Sequence, residues 1–81
     1  GMRDYRAFSM IIEDTPGQVG RIGSALGDLG VSIKNIHLSK TEDQRRLEVE
    51  ILVVLPQNLD PITVINNLSS VAGVYDVERI D

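Results

Sequence analysis

The chain contains no cysteine and a single histidine. A disulfide framework and a zinc–thiolate site are therefore excluded, and His37 has no thiol to activate. Ser39 and Asp43 are near it in sequence, but a catalytic triad depends on geometry that this spacing does not supply. His37 reads as a surface residue on a strand. Positive charge is also scarce, with Lys and Arg totalling 8 against 12 Asp and Glu, for a net charge of -4. Nucleic-acid binding needs clustered cations to neutralise phosphates. Lys40, Arg45 and Arg46 form the one basic cluster, and Glu42 and Asp43 dilute it. No nucleic-acid partner is expected. No apolar run approaches the length of a membrane span, and no signal-peptide core precedes a cleavage site. Membrane insertion is not expected, and a cytoplasmic location is. Gly17, Gly20 and Gly23 are three apart and do not form a dinucleotide-binding loop, nor is there a phosphate-loop lysine. Asp76, Glu78 and Asp81 near the end of the chain read as an exposed acidic face rather than a metal site. No cofactor, metal or catalytic set emerges, and the chain is not expected to be an enzyme.

What is present fits one small domain over residues 1–81. At 81 residues it would bury only roughly 60% of its unfolded surface, so docking against a second copy would help to stabilise it. Gly1 ahead of Met2 has the form of a tag-cleavage scar, with Met2 either a native start or an internal residue of a larger protein. The domain is read as standing alone or as a fragment or terminal domain of such a protein.

The chain is organised around Glu13-Asp14-Thr15-Pro16-Gly17-Gln18-Val19-Gly20. Before this stretch, Phe8, Met10 and Ile12 alternate with Ala7, Ser9 and Ile11, the two-residue period of a half-buried strand. That strand runs from Tyr5 to Glu13. After it, Val19, Ile22, Leu26 and Leu29 recur at helical spacing up to Gly30, a residue suited to a left-handed C-cap. Pro16 donates no hydrogen bond and pushes Thr15 toward extended backbone, and Gly17 permits a sharp turn. The free N–H groups of the following helix then point outward, where they suit an anion or carboxylate. Gly20, Gly23 and Gly27 each weaken this helix by up to about 1 kcal/mol relative to alanine. Either another element packs closely on them or tertiary contacts hold the helix.

A second strand covers Val31 to Ser39. Val31 and Ile33 share one parity and Ile36 and Leu38 the other, so a bulge near Lys34-Asn35 is needed to bring both pairs inside. A polar hairpin loop from Lys40 to Gln44 leads into the third strand, Arg45 to Leu55. Its Leu47, Val49, Ile51, Val53 and Leu55 form one face, and opposite them charged Arg46, Glu48 and Glu50 give way to Leu52 and Val54. Asp60 or Asn58 caps a second helix with Pro61 at its first position. Ile62, Ile65 and Leu68 make its buried stripe, extended by Val71. Gly73 breaks it, and Val74 to Ile80 forms a final strand.

The order βαββαβ predicts an α+β, ferredoxin-like sandwich: a four-stranded antiparallel sheet with both helices on one face. Right-handed crossovers place the first and third strands at its centre and the second and fourth at its edges. The small, weakly polar outer face and an open edge predict a homodimer, paired through the second strand or the helices beside it.

Asp14-Thr15-Pro16-Gly17-Gln18-Val19, then Leu29-Gly30-Val31-Ser32-Ile33, resembles the signature of ACT domains. There a D-x-P-G-x-L/V loop opens the first helix and a G-[VI]-N-I segment opens the second strand. Ser70-Val71-Ala72-Gly73-Val74 is similar to the family's approach to its last strand, so the resemblance spans the chain. It implies a regulatory module that pairs through its sheets and binds a small, amino-acid-like ligand at the seam. The ligand-binding residues it implies are Asp14, Gly17, Gln18, Val19 and Ser32. Gly17 would let a ligand reach the N–H groups of Gln18 and Val19, with the Gln18 side chain dispensable. Asp14 would accept from an α-ammonium group, its other role being to cap the loop. Ser32 stands where the family often has asparagine, offering one short hydroxyl in place of an amide's donors and acceptors. A ligand-free ACT-like association domain is the alternative. Residues 55–78 resemble the C-terminal domains of MgtC/SapB-type membrane proteins, and also the ACT domains of (p)ppGpp synthetases and bacterial malic enzymes.

Overall fold

The computed structural model describes residues 3–81. Six elements follow in the expected order: β1 (Asp4–Glu13), α1 (Gln18–Asp28), β2 (Ser32–Lys40), β3 (Arg46–Leu55), α2 (Pro61–Ser69) and β4 (Val74–Arg79). The strands form one antiparallel sheet in the order β2-β3-β1-β4, with β1 and β3 central as the crossover rule requires.

Alternation decides which side of each strand is dry. Phe8, Met10 and Ile12 of β1 and Val49, Ile51, Val53 and Leu55 of β3 are buried on one face of the sheet. Ile22 and Leu26 from α1, and Val64 and Leu68 from α2, close over them. Burying each such side chain contributes roughly 1.5–3 kcal/mol.

The phase of both helices departs from the sequence reading. Gln18, Ile22 and Leu26 form the buried stripe of α1, while Val19 is 41% exposed. In α2 the stripe is Val64 and Leu68, with Ile65 and Val71 partly buried, and Ile62 is 61% exposed. The cause is the same in both. Steps of three drift off a helical face at about 100° per residue, whereas steps of four hold it more closely when the helix is short.

The bulge in β2 is present. Ile33 pairs with Val53 and Asn35 with Leu52, so Lys34 is the extra residue. Beyond it Ile36 and Leu38 oppose Ile51 and Val49 and share the core side, though Leu38, on the free edge strand, stays 42% exposed. A second irregularity lies in β4, where Ser9 pairs with Glu78 but Ile11 with Tyr75, and Asp76 takes a positive φ of 55°.

The helix ends obey local chemistry. Asp60 caps α2 by accepting from the Ile62 N–H at 2.9 Å, with Pro61 at the first helical position. Asp60→Ala is expected to lower stability by about 1 kcal/mol in urea denaturation. A Cβ at Gly20, Gly23 or Gly27 would meet nothing within 4 Å, so no element of the described chain packs closely there and tertiary contacts hold α1. Gly27→Ala should accordingly raise stability, by up to about 1 kcal/mol in the same assay. In the β2–β3 hairpin, Asp43 accepts from the Thr41 hydroxyl at 2.7 Å and from the Arg45 N–H at 3.0 Å. These bonds, the Thr41 hydroxyl foremost, hold its carboxyl below the ordinary value of 3.8. Whatever the ionised group adds to the turn is fully present above that ordinary value and is lost as pH falls through the depressed one. An NMR titration should place Asp43 below the ordinary value, and Thr41→Val should move it back up.

Candidate ligand site

The β1–α1 loop is a tight turn at Pro16-Gly17. Gly17 stands at the helix N-cap with φ 81° and ψ −4°, a left-handed conformation that glycine adopts without penalty. A Cβ at Gly17 would meet only Arg21 Nη1, at 3.5 Å, so its φ rather than a shortage of space calls for glycine. With no side chain to cap it, α1 begins with backbone donors only. The Gln18 N–H is turned to Thr15 O at 3.2 Å and the Arg21 N–H to Gly17 O at 3.0 Å. Among the described residues, the N–H groups of Val19 and Gly20 find no acceptor, so two donors face outward at the positive end of the helix dipole.

The Gln18 side chain points the other way. It is 2% exposed, donates to Ala72 O at 2.8 Å and accepts from Arg21 Nη2 at 2.8 Å. Together with the Glu13 N–H bonded to Gly73 O at 2.9 Å, it fastens the loop to the turn between α2 and β4. Gln18 is thus a structural member of the loop, its side chain tying the start of α1 to the α2–β4 turn.

Charged and aromatic neighbours that the linear sequence did not bring forward complete the surroundings. Lys40, at the end of β2, meets Asp14 Oδ2 at 2.8 Å. Arg46 lies 3.4 Å from Glu13 Oε1 and 4.3 Å over the Tyr75 ring, and the Tyr75 hydroxyl donates to Glu13 Oε1 at 3.1 Å. These contacts join residues far apart in the chain, and only the sheet register could have revealed them.

Ser32 is elsewhere. It opens β2 opposite Val54, which in turn faces Tyr5 at the start of β1, whereas the loop follows Glu13 at its end. At about 3.3 Å per residue the two places are roughly 25 Å apart within one chain. Asp14, Gly17, Gln18 and Val19 therefore cluster, and Ser32 does not join them in the same copy. His37 is exposed on β2 opposite Glu50. Among the described residues no group of three or more His, Asp or Glu could hold a metal ion, the Asp76, Glu78 and Asp81 set included.

The Pro-Gly turn, the open helix end and the βαββαβ order coincide with a known sequence family, whose pattern matches residues 7–73. The chain belongs to the ACT domain family. This is a family of regulatory ligand-binding domains. The fold agrees: the ACT domain of GTP pyrophosphokinase from Chlorobium tepidum superposes with a TM-score of 0.74 at 19% identity, over 98% of this chain and 100% of that one. The C-terminal domain of the MgtC protein from Mycobacterium tuberculosis gives 0.73 at 14% identity, over 99% and 87%. An ACT domain protein from Streptococcus pneumoniae gives 0.73 at 13% identity, over 98% and 91%. No curated protein matches the chain in sequence. Among the described residues, no helix of this ACT domain is long and apolar enough to cross a membrane.

Proposed function

We propose that this ACT domain binds a small amino-acid-like ligand at the seam between two copies and thereby controls an attached or partner protein, in the cytoplasm. One observation carries the reading. The Asp14–Val19 loop and Ser32 lie at opposite ends of the sheet, yet Lys40 brings the far end of β2 against Asp14. If two β2 edges pair antiparallel about a two-fold axis, each Ser32 comes alongside the partner's Lys40 end and therefore its loop. The free N–H groups of Val19 and Gly20 then receive a carboxylate, and Asp14, Lys40 and the partner's Ser32 surround the rest of the molecule. β4 is the poorer edge for pairing, being 6 residues long and bent at Asp76.

A thermal-shift screen of the standard amino acids and common nucleotides tests this. A ligand at about 100 times its dissociation constant should add about 2.7 kcal/mol of stability. Sedimentation equilibrium should show a dimer at concentrations of order 100 μM, and monomer alone would count against the seam, since that threshold asks for only about -5.5 kcal/mol.

The second reading is a ligand-free association domain of a larger protein. The ion pair that Lys40 makes with Asp14 favours it, because a carboxylate already engaged is a poorer acceptor for an ammonium group. The structural likeness to the ACT domain of a GTP pyrophosphokinase and to an MgtC C-terminal domain fits hosts of the (p)ppGpp synthetase or MgtC/SapB type, and a malic enzyme is a third candidate host. A screen in which nothing stabilises a dimeric protein would select this reading.

A further inference from the structure

The face of the sheet turned away from the helices is left uncovered by the described chain, and it is not the weakly polar surface expected from the first strand alone, because β3 and β4 add carboxylates to one half of it. The outward residues of β3 run Glu48, Glu50, Leu52, Val54. Pairing extends each half across the neighbouring strands. Ser9 is flanked by Glu50 and Glu78, and Ile11 by Glu48 and Tyr75, while Ala7 faces Leu52 and Tyr5 faces Val54. Asp76, turned by its positive φ, joins the acidic half beside a shallow groove of about 380 Å³ floored by Ser9 and Ile11. The apolar half exposes Tyr5 at 51%, Leu52 at 38% and Ile80 at 47%.

Charge on this face is unbalanced. Four carboxylates of the described chain are ion-paired, Asp4 with Arg6, Glu13 with Arg46, Asp14 with Lys40 and Asp81 with Arg79. Glu48, Glu50, Asp76 and Glu78 make no ion pair or hydrogen bond through their side chains with any described residue. Arg46, the cation that β3 offers nearby, is held by Glu13 and Tyr75. Their backbone spacing is about 6.6 Å along β3 and about 9.6 Å across two strands. On one face of a helix, cationic residues seven apart recur at about 10.5 Å, close to the spacing across two strands.

We infer that this outer face docks a basic amphipathic helix of a partner protein, its Lys and Arg residues over the acidic half and its apolar stripe over Tyr5, Leu52 and Ile80. With its axis across the strands, along the boundary between the two halves, a helix of about 10–12 Å diameter fits within the roughly 33 Å that the 10-residue strands β1 and β3 span. A second copy is a poor occupant, because two such faces would oppose unpaired carboxylates while Arg46, the cation of β3 on the same side, is already held by Glu13 and Tyr75. An anionic membrane is repelled for the same reason. The surface is separate from the ligand loop, so the inference does not rest on the ligand reading.

The test uses the intact chain and a synthetic helical peptide of about 18 residues, with Leu at amphipathic spacing and Lys elsewhere. Amide shifts are followed by NMR at about 50 mM salt. The expected shifts lie at Ser9, Ile11, Glu50 and Leu52. A scrambled peptide of the same composition should bind at least about tenfold more weakly, as should the parent peptide to the Glu48→Gln/Glu50→Gln/Glu78→Gln variant or to Leu52→Ser. The glutamine variant keeps the fold even if Leu52→Ser does not, since it removes charge from exposed side chains that the chain leaves unpaired. Equal binding by the glutamine variant, equal binding of the scrambled peptide, or shifts confined to the helices would overturn the inference. So would a peptide-free dimer that Leu52→Ser dissociates, which would give the face to a second copy.

Discussion

Gly73→Ala is expected to destabilise the domain by about 2–5 kcal/mol, although it adds a single methyl group. Two effects combine. Gly73 has a φ of 82°, and an L-residue there costs roughly 1–2 kcal/mol. The new Cβ would also lie 2.8 Å from Gln18 Oε1, 3.0 Å from Nε2 and 3.1 Å from Cδ. The Gln18 amide has little room to retreat, because it is buried between Ala72 O and Arg21. Displacing it leaves a buried polar group unpaired, at about 1–3 kcal/mol. In a domain of this size each kcal/mol moves the midpoint by about 4–8 °C, so the loss is easily read in a thermal melt.

The two effects can be separated. Gln18→Ala alone should also destabilise, because it removes both bonds and leaves a void where the loop meets the α2–β4 turn. Combined with Gly73→Ala it should cost less than the sum, since the truncated side chain makes space for the new methyl. A coupling of about 1 kcal/mol or more is expected from a double-mutant cycle. Strict additivity would assign the whole effect at Gly73 to backbone strain.

This junction also shows what a linear reading can reach. The sheet was legible because alternation is a local signal: Phe8, Met10 and Ile12 could be assigned inward from their spacing alone. The β2 bulge was legible for the same reason, as a conflict of parity between Val31-Ile33 and Ile36-Leu38. Helix phase was harder. A buried glutamine carries no hydrophobic mark, so Val19 was given the inward place that belongs to Gln18, and Ile62 stood in for Val64. The partners of the loop were beyond reach. Gly73, Lys40 and Tyr75 come to it through strand register and through the turn that ends α2, and no spacing in the sequence encodes those distances. Ser32 is the reverse case. Motif likeness grouped it with the loop, while register sets it at the far end of the same sheet, so grouping and geometry agree only when two copies are considered.

Mixing two damaged variants should restore ligand binding that neither has by itself. Val19→Pro removes a backbone hydrogen for which the described chain has no acceptor, and proline is tolerated in the first turn of a helix. The extended bias it places on Gln18 makes a circular-dichroism check of α1 necessary. Ser32→Glu sets a carboxylate on an exposed position at the start of β2, where it would repel an acidic ligand. In a two-fold dimer whose sites each join one copy's loop to the other copy's Ser32, both variants are inactive alone. A mixed dimer holds one doubly damaged site and one intact site. After joint unfolding and refolding, half of the dimers should be mixed, and about one site in four should bind the ligand found by the screen. Calorimetric stoichiometry measures that fraction directly. A site built within one chain gives a different result, since every copy then carries a lesion and mixing recovers nothing. Zero recovery from a folded, dimeric mixture would therefore remove the seam as the place of binding, whatever the affinity of the parent protein.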